Sequence, residues 1–146
     1  MSEKLTAIVT RDFNISPEKV WNGLTNPDLI KSYFFGTEAI SDWKKGSTLE
    51  FKGEWEGTAY LDKGFILETE PFKVFRYSYL SSMSGLEDRP ENYAEITYEL
   101  VPVQNGTRLT VTQNGLANEE RKAHSEATWD YLLEAMGKII GGQGKV

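Results

Sequence analysis

Aromatic side chains are the residues of this chain best suited to hold a small molecule. The sequence has 4 Trp, 7 Tyr and 7 Phe among 146 residues. Tyr and Trp combine an apolar body with a polar tip and therefore suit the wall of an apolar pocket. Strand-like alternation directs one set of them inward, and these candidate ligand contacts are Phe51, Phe75, Tyr77, Tyr79 and Tyr98. The same set could equally form a packed core in which each hydroxyl bonds to the backbone.

Two polar side chains share the inward faces with these aromatic residues. Arg11 breaks an otherwise apolar strand face and could hold a carboxylate or phosphate by a two-point contact. It could also extend to solvent or pair with an acid. Gln113 faces inward on the last predicted strand. A buried amide needs hydrogen-bond partners, so Gln113 is either a ligand contact or a member of a local network.

A long amphipathic helix is predicted between residues 118 and 140. Apolar residues recur there at spacings of three and four, which places them on one face: Trp129, Leu132, Leu133, Met136, Ile139 and Ile140. Trp129 and Met136 are candidate ligand contacts on that face, although core packing is the simpler interpretation. His124 points away from the face, so we expect it to be exposed or to cap the helix.

Catalytic, metal and cofactor sites are not predicted. The chain lacks cysteine, which excludes disulfides, thiolate metal sites and cysteine nucleophiles. His124 is the only histidine, so a metal site would need several carboxylates, and none cluster suitably. Nucleophile-elbow, phosphate-loop and dinucleotide glycine patterns are absent from the sequence. Asn118 followed by Glu119 and Glu120 is typical of a capped helix start.

Composition favours a single cytoplasmic domain over residues 1–146, ordered from about 4 to 141, with a short flexible C-terminal tail. The net charge of −6 argues against nucleic acid or an anionic membrane as the main partner. No run approaches the roughly 18–20 apolar residues that span a bilayer. The first four residues lack the apolar run of a signal peptide.

The elements that must position these residues follow from the hydrophobic periods. Alternation predicts a strand over 5–15 and then strands over 37–42, 47–54, 58–70, 73–80, 93–102 and 106–114. Ser16-Pro17-Glu18 is a helix start, and two short helices are predicted over 17–24 and 27–34. A long helix must lay its apolar face on a sheet, and such an arrangement tends to leave room between them.

Three features break this regular pattern. Asn105-Gly106 predicts a hairpin turn, and Asp62-Lys63-Gly64 predicts a bulge or bend within a long strand. Residues 81–92 form the longest irregular segment, which is typical of a functional or mobile loop.

Several motifs, in this order, carry a family resemblance. The entry motif is Ser16-Pro17-Glu18-Lys19-Val20-Trp21 with Leu24-Thr25-Asn26-Pro27. The later segments are Phe35-Gly36 with Ser41-Asp42-Trp43-Lys44, Lys63-Gly64 through Glu70-Pro71, Ser84-Gly85-Leu86 with Pro90-Glu91-Asn92-Tyr93, Gly106-Thr107-Arg108-Leu109-Thr110 with Gln113, and His124-Ser125 with Trp129. The chain resembles the START-like (SRPBCC) superfamily, in its branch of homologues of the activator of the ninety-kilodalton heat-shock protein ATPase. That resemblance implies an α+β helix-grip fold, with a curved antiparallel sheet wrapped on a long C-terminal helix and two short helices after strand one.

The leading functional hypothesis is binding of a small, mostly apolar or amphipathic molecule between sheet and C-terminal helix, without chemistry of its own. A second hypothesis is a protein-interaction module, linked to a chaperone by the resemblance or acting through self-association. A third is a cyclase- or hydratase-like enzyme in which Arg11, a tyrosine and Gln113 polarise a carbonyl. One fold hosts many functions, so the resemblance leaves all three open.

Overall fold

Seven strands form one antiparallel sheet that curves around a long C-terminal helix. The computed structural model describes residues 4–34, 36–81 and 86–141, and within them the strands are β1 (Leu5–Phe13), β2 (Glu38–Ser41), β3 (Thr48–Trp55), β4 (Thr58–Glu70), β5 (Val74–Tyr79), β6 (Ala94–Val103) and β7 (Gly106–Leu116). The α-helices are α1 (Pro17–Thr25), α2 (Pro27–Tyr33) and α3 (Glu119–Ile140), and a single 3₁₀ turn covers Pro90–Asn92. The predicted α+β helix-grip fold is confirmed.

The strand order explains how distant segments meet. It runs β1-β7-β6-β5-β4-β3-β2, so each strand after β2 pairs with its predecessor and β1 returns beside β7. The short helices α1 and α2 connect the two edge strands. The inward positions of β5, β6 and β7 therefore lie side by side, with Tyr77 opposite Ile96 and Ile96 opposite Gln113.

Helix α3 covers the inner face of the sheet with most of the predicted apolar stripe. Trp129, Leu132, Leu133 and Met136 are all buried. The prediction was wrong for Ile139, which is 39% exposed near the end of the helix. The predicted cap at Asn118 is confirmed, because its side chain accepts a hydrogen bond from the backbone N–H of Arg121 at 2.9 Å. The helix ends at Gly141, whose φ of 84° is the left-handed conformation that glycine adopts at helix ends.

The turn between β6 and β7 differs in detail from the sequence expectation. The hairpin between β6 and β7 forms, but its two loop residues are Gln104 and Asn105, and Gly106 already pairs with Val103. A Cβ on Gly106 would lie 1.9 Å from the carbonyl oxygen of Phe13, so this glycine is required by close packing rather than by the turn.

The predicted irregularity in β4 occurs a few residues later than expected. The register between β4 and β5 shifts between Ile66 and Glu68, beyond the predicted Asp62–Gly64 position. Gly64 instead allows a close approach of strands, because a Cβ there would lie 1.7 Å from the Ser78 carbonyl oxygen. Of the predicted loop 81–92, residues 82–85 lie outside the described residues, as does the predicted flexible tail 142–146.

Candidate functional site

The deep interior between sheet and helix is filled by aromatic side chains. Phe75 and Tyr98 stack with ring centroids 6.1 Å apart, and Phe51 packs on Tyr77 at 5.9 Å. The cavity left among them measures about 10 Å³, which is close to the room that one water molecule needs. Among the described residues, Phe51, Phe75 and Tyr98 therefore pack against other rings around this small space, and a ligand contact by any of them stays a prediction.

Open space lies at one side of this core, toward the start of α3. We call it the helix–sheet cleft; its volume is about 330 Å³, which is within the usual range of small-molecule sites. The sheet contributes Tyr77, Tyr79, Ile96, Gln113 and Leu116 to its described lining. The helix contributes Arg121, His124, Ser125, Thr128, Trp129 and Leu132, and Phe34 and Ser81 complete it.

Gln113 is held in one orientation by two hydrogen bonds. Its side-chain oxygen accepts from the indole Nε1–H of Trp129 and from the hydroxyl of Ser125, each at 2.8 Å. An indole N–H can only donate, so the atom facing it must be the amide oxygen. The amide –NH₂ therefore points the other way and has no hydrogen-bond partner among residues 4–34, 36–81 and 86–141. Gln113 thus offers the cleft a fixed donor.

The two tyrosines of the cleft have partners behind them. The Tyr77 hydroxyl lies 2.9 Å from that of Tyr98, and the Tyr79 hydroxyl donates to the buried carboxylate of Asp62 at 2.6 Å. Burial raises the pKa of Tyr77, and burial together with the Asp62 carboxylate raises the pKa of Tyr79. Both hydroxyls stay protonated at neutral pH. The Tyr79 hydroxyl also bonds to Ser81, so it already has two partners within the protein.

Four of the nine predicted ligand contacts converge on the cleft: Tyr77, Tyr79, Gln113 and Trp129. Met136 is fully buried and belongs to neither described cavity lining.

Arg11 also lies outside the cleft, because helix α3 supplies its partners. Its guanidinium Nη2 pairs with Asp130 at 3.2 Å and lies 4.0 Å from Glu134. This arrangement matches the acid-paired alternative considered for Arg11, and a ligand contact by Arg11 stays a prediction.

The cleft is also lined by four polar residues of α3 that were not among the predicted ligand contacts. Arg121, His124, Ser125 and Thr128 are spaced by three, one and three residues, so they form one stripe of the helix beside the apolar face that carries Trp129. The same spacing in the sequence is the signal that could identify this polar stripe. His124 is exposed, as predicted, and lies at the cleft.

Other parts of the described chain offer less to a ligand. A second concavity of about 340 Å³ is lined by Asp12, Phe13, Asn14 and the β6–β7 turn, where Phe13 is the one buried apolar side chain. Within the described ranges, no three His, Asp or Glu side chains come close enough to hold a metal ion. No helix in those ranges is long and apolar enough to cross a membrane.

Several solved structures have a fold similar to that of this protein. A solution structure from Cytophaga hutchinsonii is 42% identical, with a TM-score of 0.85, and each chain is covered to 97%. A crystal structure from Mesorhizobium loti is 22% identical with a TM-score of 0.76, covering 94% of this chain and 97% of that one. An Hsp90 activator from Plasmodium falciparum is 19% identical with a TM-score of 0.75, covering 97% and 99%. The last two share the fold alone.

Family assignment follows from a match over most of the sequence. No functionally curated protein matches the chain. The model of the family described as activator of Hsp90 ATPase homolog 1-like protein matches residues 14–141, from the end of β1 to the end of α3. This range contains the cleft and every motif of the sequence resemblance. The chain therefore belongs to the family of activator of Hsp90 ATPase homolog 1-like proteins.

Proposed function

We propose that this protein, acting in the cytoplasm, binds a small, mostly apolar molecule in the helix–sheet cleft and does not transform it. The observation that carries the proposal is the convergence of Tyr77, Tyr79, Gln113 and Trp129 on a space of about 330 Å³. Ligand sites are typically concave and mostly apolar, with a few fixed polar groups. The oriented amide of Gln113 supplies such a group.

Binding without chemistry is supported by the state of the two tyrosine hydroxyls and of the Asp62 carboxylate. A general base needs a pKa near the working pH. The pKa values of Tyr77 and Tyr79 are raised, so neither hydroxyl loses its proton near neutrality. The Asp62 carboxylate accepts a hydrogen bond from Tyr79 and is not part of the described cleft lining. These groups can orient a ligand by hydrogen bonds but are poorly suited to remove a proton from it.

The test fills the cleft from the helix side. Thr128 lines the cleft and bonds through its hydroxyl to the carbonyl of His124 within the helix, so Thr128→Trp adds bulk without touching the Gln113 network. The neighbouring Ala127 is exposed and outside the described cleft lining, which makes Ala127→Trp the matched control. We expect wild type and Ala127→Trp to bind the neutral apolar dye Nile red.

Thr128→Trp should weaken dye binding by about tenfold or more, because the added indole occupies the ligand's volume. Circular dichroism checks that both variants are folded. Equal binding by Thr128→Trp and Ala127→Trp would place the dye elsewhere and contradict the proposal. Native mass spectrometry of freshly purified protein, with a denatured control, then supplies the mass of any retained natural ligand.

A second candidate function is protein interaction through the outer face of the sheet. Leu61, Phe65 and Ile40 are 44%, 48% and 41% exposed, and β-pairing places all three on the outer face of β2–β4. Exposed apolar groups on one face favour binding of a partner protein.

The family assignment makes the Hsp90-type ATPase of the same organism the partner to test. Unchanged ATPase activity, together with no co-elution, would count against this candidate.

A further inference from the structure

Charge is unevenly distributed along the helix–sheet cleft. The whole chain has a net charge of −6, yet the described lining contains no carboxylate. It does contain Arg121 and His124, both from the first two turns of α3. An acidic protein that keeps its acids away from a cleft and places a cation there creates a local preference for an anion.

Arg121 differs from the other four arginines of the chain. Each of those has a carboxylate within 4.0 Å: Arg11, Arg76, Arg89 and Arg108. Among the residues that the structure describes, Arg121 has no such partner. A guanidinium presents donors in a fork that matches a carboxylate, so an unpaired one at a cleft is a ready counter-ion.

Polarity changes steadily along the helical wall. Arg121, His124, Ser125 and Thr128 give way to Trp129 and Leu132 over eleven residues, which is about 16 Å of helix. The sheet continues the apolar end with Tyr77 and Ile96. A ligand that matches this wall has an apolar body at one end and a charged group at the other.

From this gradient and the unpaired guanidinium, we infer that the ligand is an amphipathic carboxylic acid. Its apolar body lies against Trp129, Leu132, Ile96 and Tyr77, and its carboxylate pairs with Arg121 beside His124. One arginine balances one negative charge, which fits a carboxylate better than a phosphate dianion. This inference rests on the proposed function and specifies the chemical class of the molecule bound at that same cleft.

The test compares two probes of the same length that differ in charge, octanoate and octanamide, as competitors of Nile red. Wild type should bind octanoate about fivefold more tightly than octanamide, as a partly exposed charge pair allows. Arg121→Gln should remove this preference, so that octanoate and octanamide bind with about equal affinity. Lys138→Gln makes the same charge change on the same helix, away from the cleft and beside Glu134, and should retain the preference.

The outcomes separate the two proposals. Nile red binding that Thr128→Trp abolishes, with equal affinity for both probes, would overturn the carboxylic acid and leave the cleft as the binding site. An octanoate preference that survives Arg121→Gln would overturn the assignment to Arg121. Displacement of the dye by neither probe would also overturn this inference. Absence of Nile red binding from the wild type would instead remove the proposed function itself.

Discussion

Gln113 links the helix, the sheet and the cleft through one side chain. Its oxygen accepts hydrogen bonds from Trp129 and Ser125 of α3, and the residue also lines the cleft. The same residue therefore contributes to stability and to the binding surface. These two contributions differ because the oxygen is already occupied within the protein, whereas the nitrogen has no partner in the part of the chain that the structure describes.

Gln113→Leu should lower the free energy of unfolding by roughly 1–2 kcal/mol, because it leaves the Trp129 N–H and the Ser125 hydroxyl without their acceptor. Urea unfolding followed by Trp fluorescence measures this change. Gln104→Leu makes the same substitution at an exposed turn residue and should be nearly neutral. Equal stability of the two variants would mean that the network contributes little.

Helix α3 also closes the edge of the sheet at β1. Strand β1 lies at the edge of the sheet, and the backbone N–H of its Ile8 donates to the Glu126 carboxylate of α3 at 3.1 Å. The bond from Ile8, with help from Lys122, lowers the pKa of Glu126 below its ordinary value of 4.5. An unpaired strand edge invites association with other chains, so this contact protects the edge as well as docking the helix.

Acid sensitivity at this edge has a defined sign. A carboxyl whose folded pKa is lowered stabilises the fold above its unfolded pKa, and that contribution is lost as the pH falls through the folded value. We therefore expect wild type to lose stability below about pH 4.5 more steeply than Glu126→Gln, which keeps an acceptor but carries no charge.

Thermal unfolding across a pH series measures this difference. The control is Glu56→Gln, an exposed turn position, which should follow the wild-type curve. Parallel curves for wild type and Glu126→Gln would show that the edge contact does not couple to protonation.

The molecule as a whole is held by an aromatic core that contains tyrosine hydroxyls. Burial raises the pKa of Tyr33, Tyr77 and Tyr98, whose hydroxyls bond to the Gly23 carbonyl or to one another. Ionising any of them inside the protein would place a charge in an apolar environment. A raised folded pKa gives a contribution that is complete below the unfolded pKa and is lost as the pH rises.

Ionisation of the buried tyrosines and loss of the fold should consequently occur together as the pH rises. The buried hydroxyls should ionise only as the protein unfolds, because burial raises the pKa of each. Tyrosinate absorbance and circular dichroism recorded on the same samples measure the two events. Ionisation of all seven tyrosines with native circular dichroism throughout would contradict this picture.

The candidate site could be predicted only in part. Strand and helix periods show which side chains face inward, and they are enough to select Tyr77, Tyr79, Gln113 and Trp129, which line the cleft. Periodicity does not show which inward side chains pack together and which leave space. Phe51 and Phe75 are therefore candidates on the same grounds as Tyr79, although they pack against other rings, and the helical angle of His124 does not show that it borders a cleft.

The sequence by itself determined the order of elements, the inward faces, the cap at Asn118 and the family, because these depend on local chemistry and on motifs within short stretches. Tertiary structure alone decided where the cleft lies and which charged groups of the described residues have no partner among them. Arg11 meets Asp130 across 119 residues, and Gln113 meets Trp129 from another element. Such contacts depend on how far the sheet curves around α3 and on the volumes of side chains that meet there, and no local period encodes either quantity.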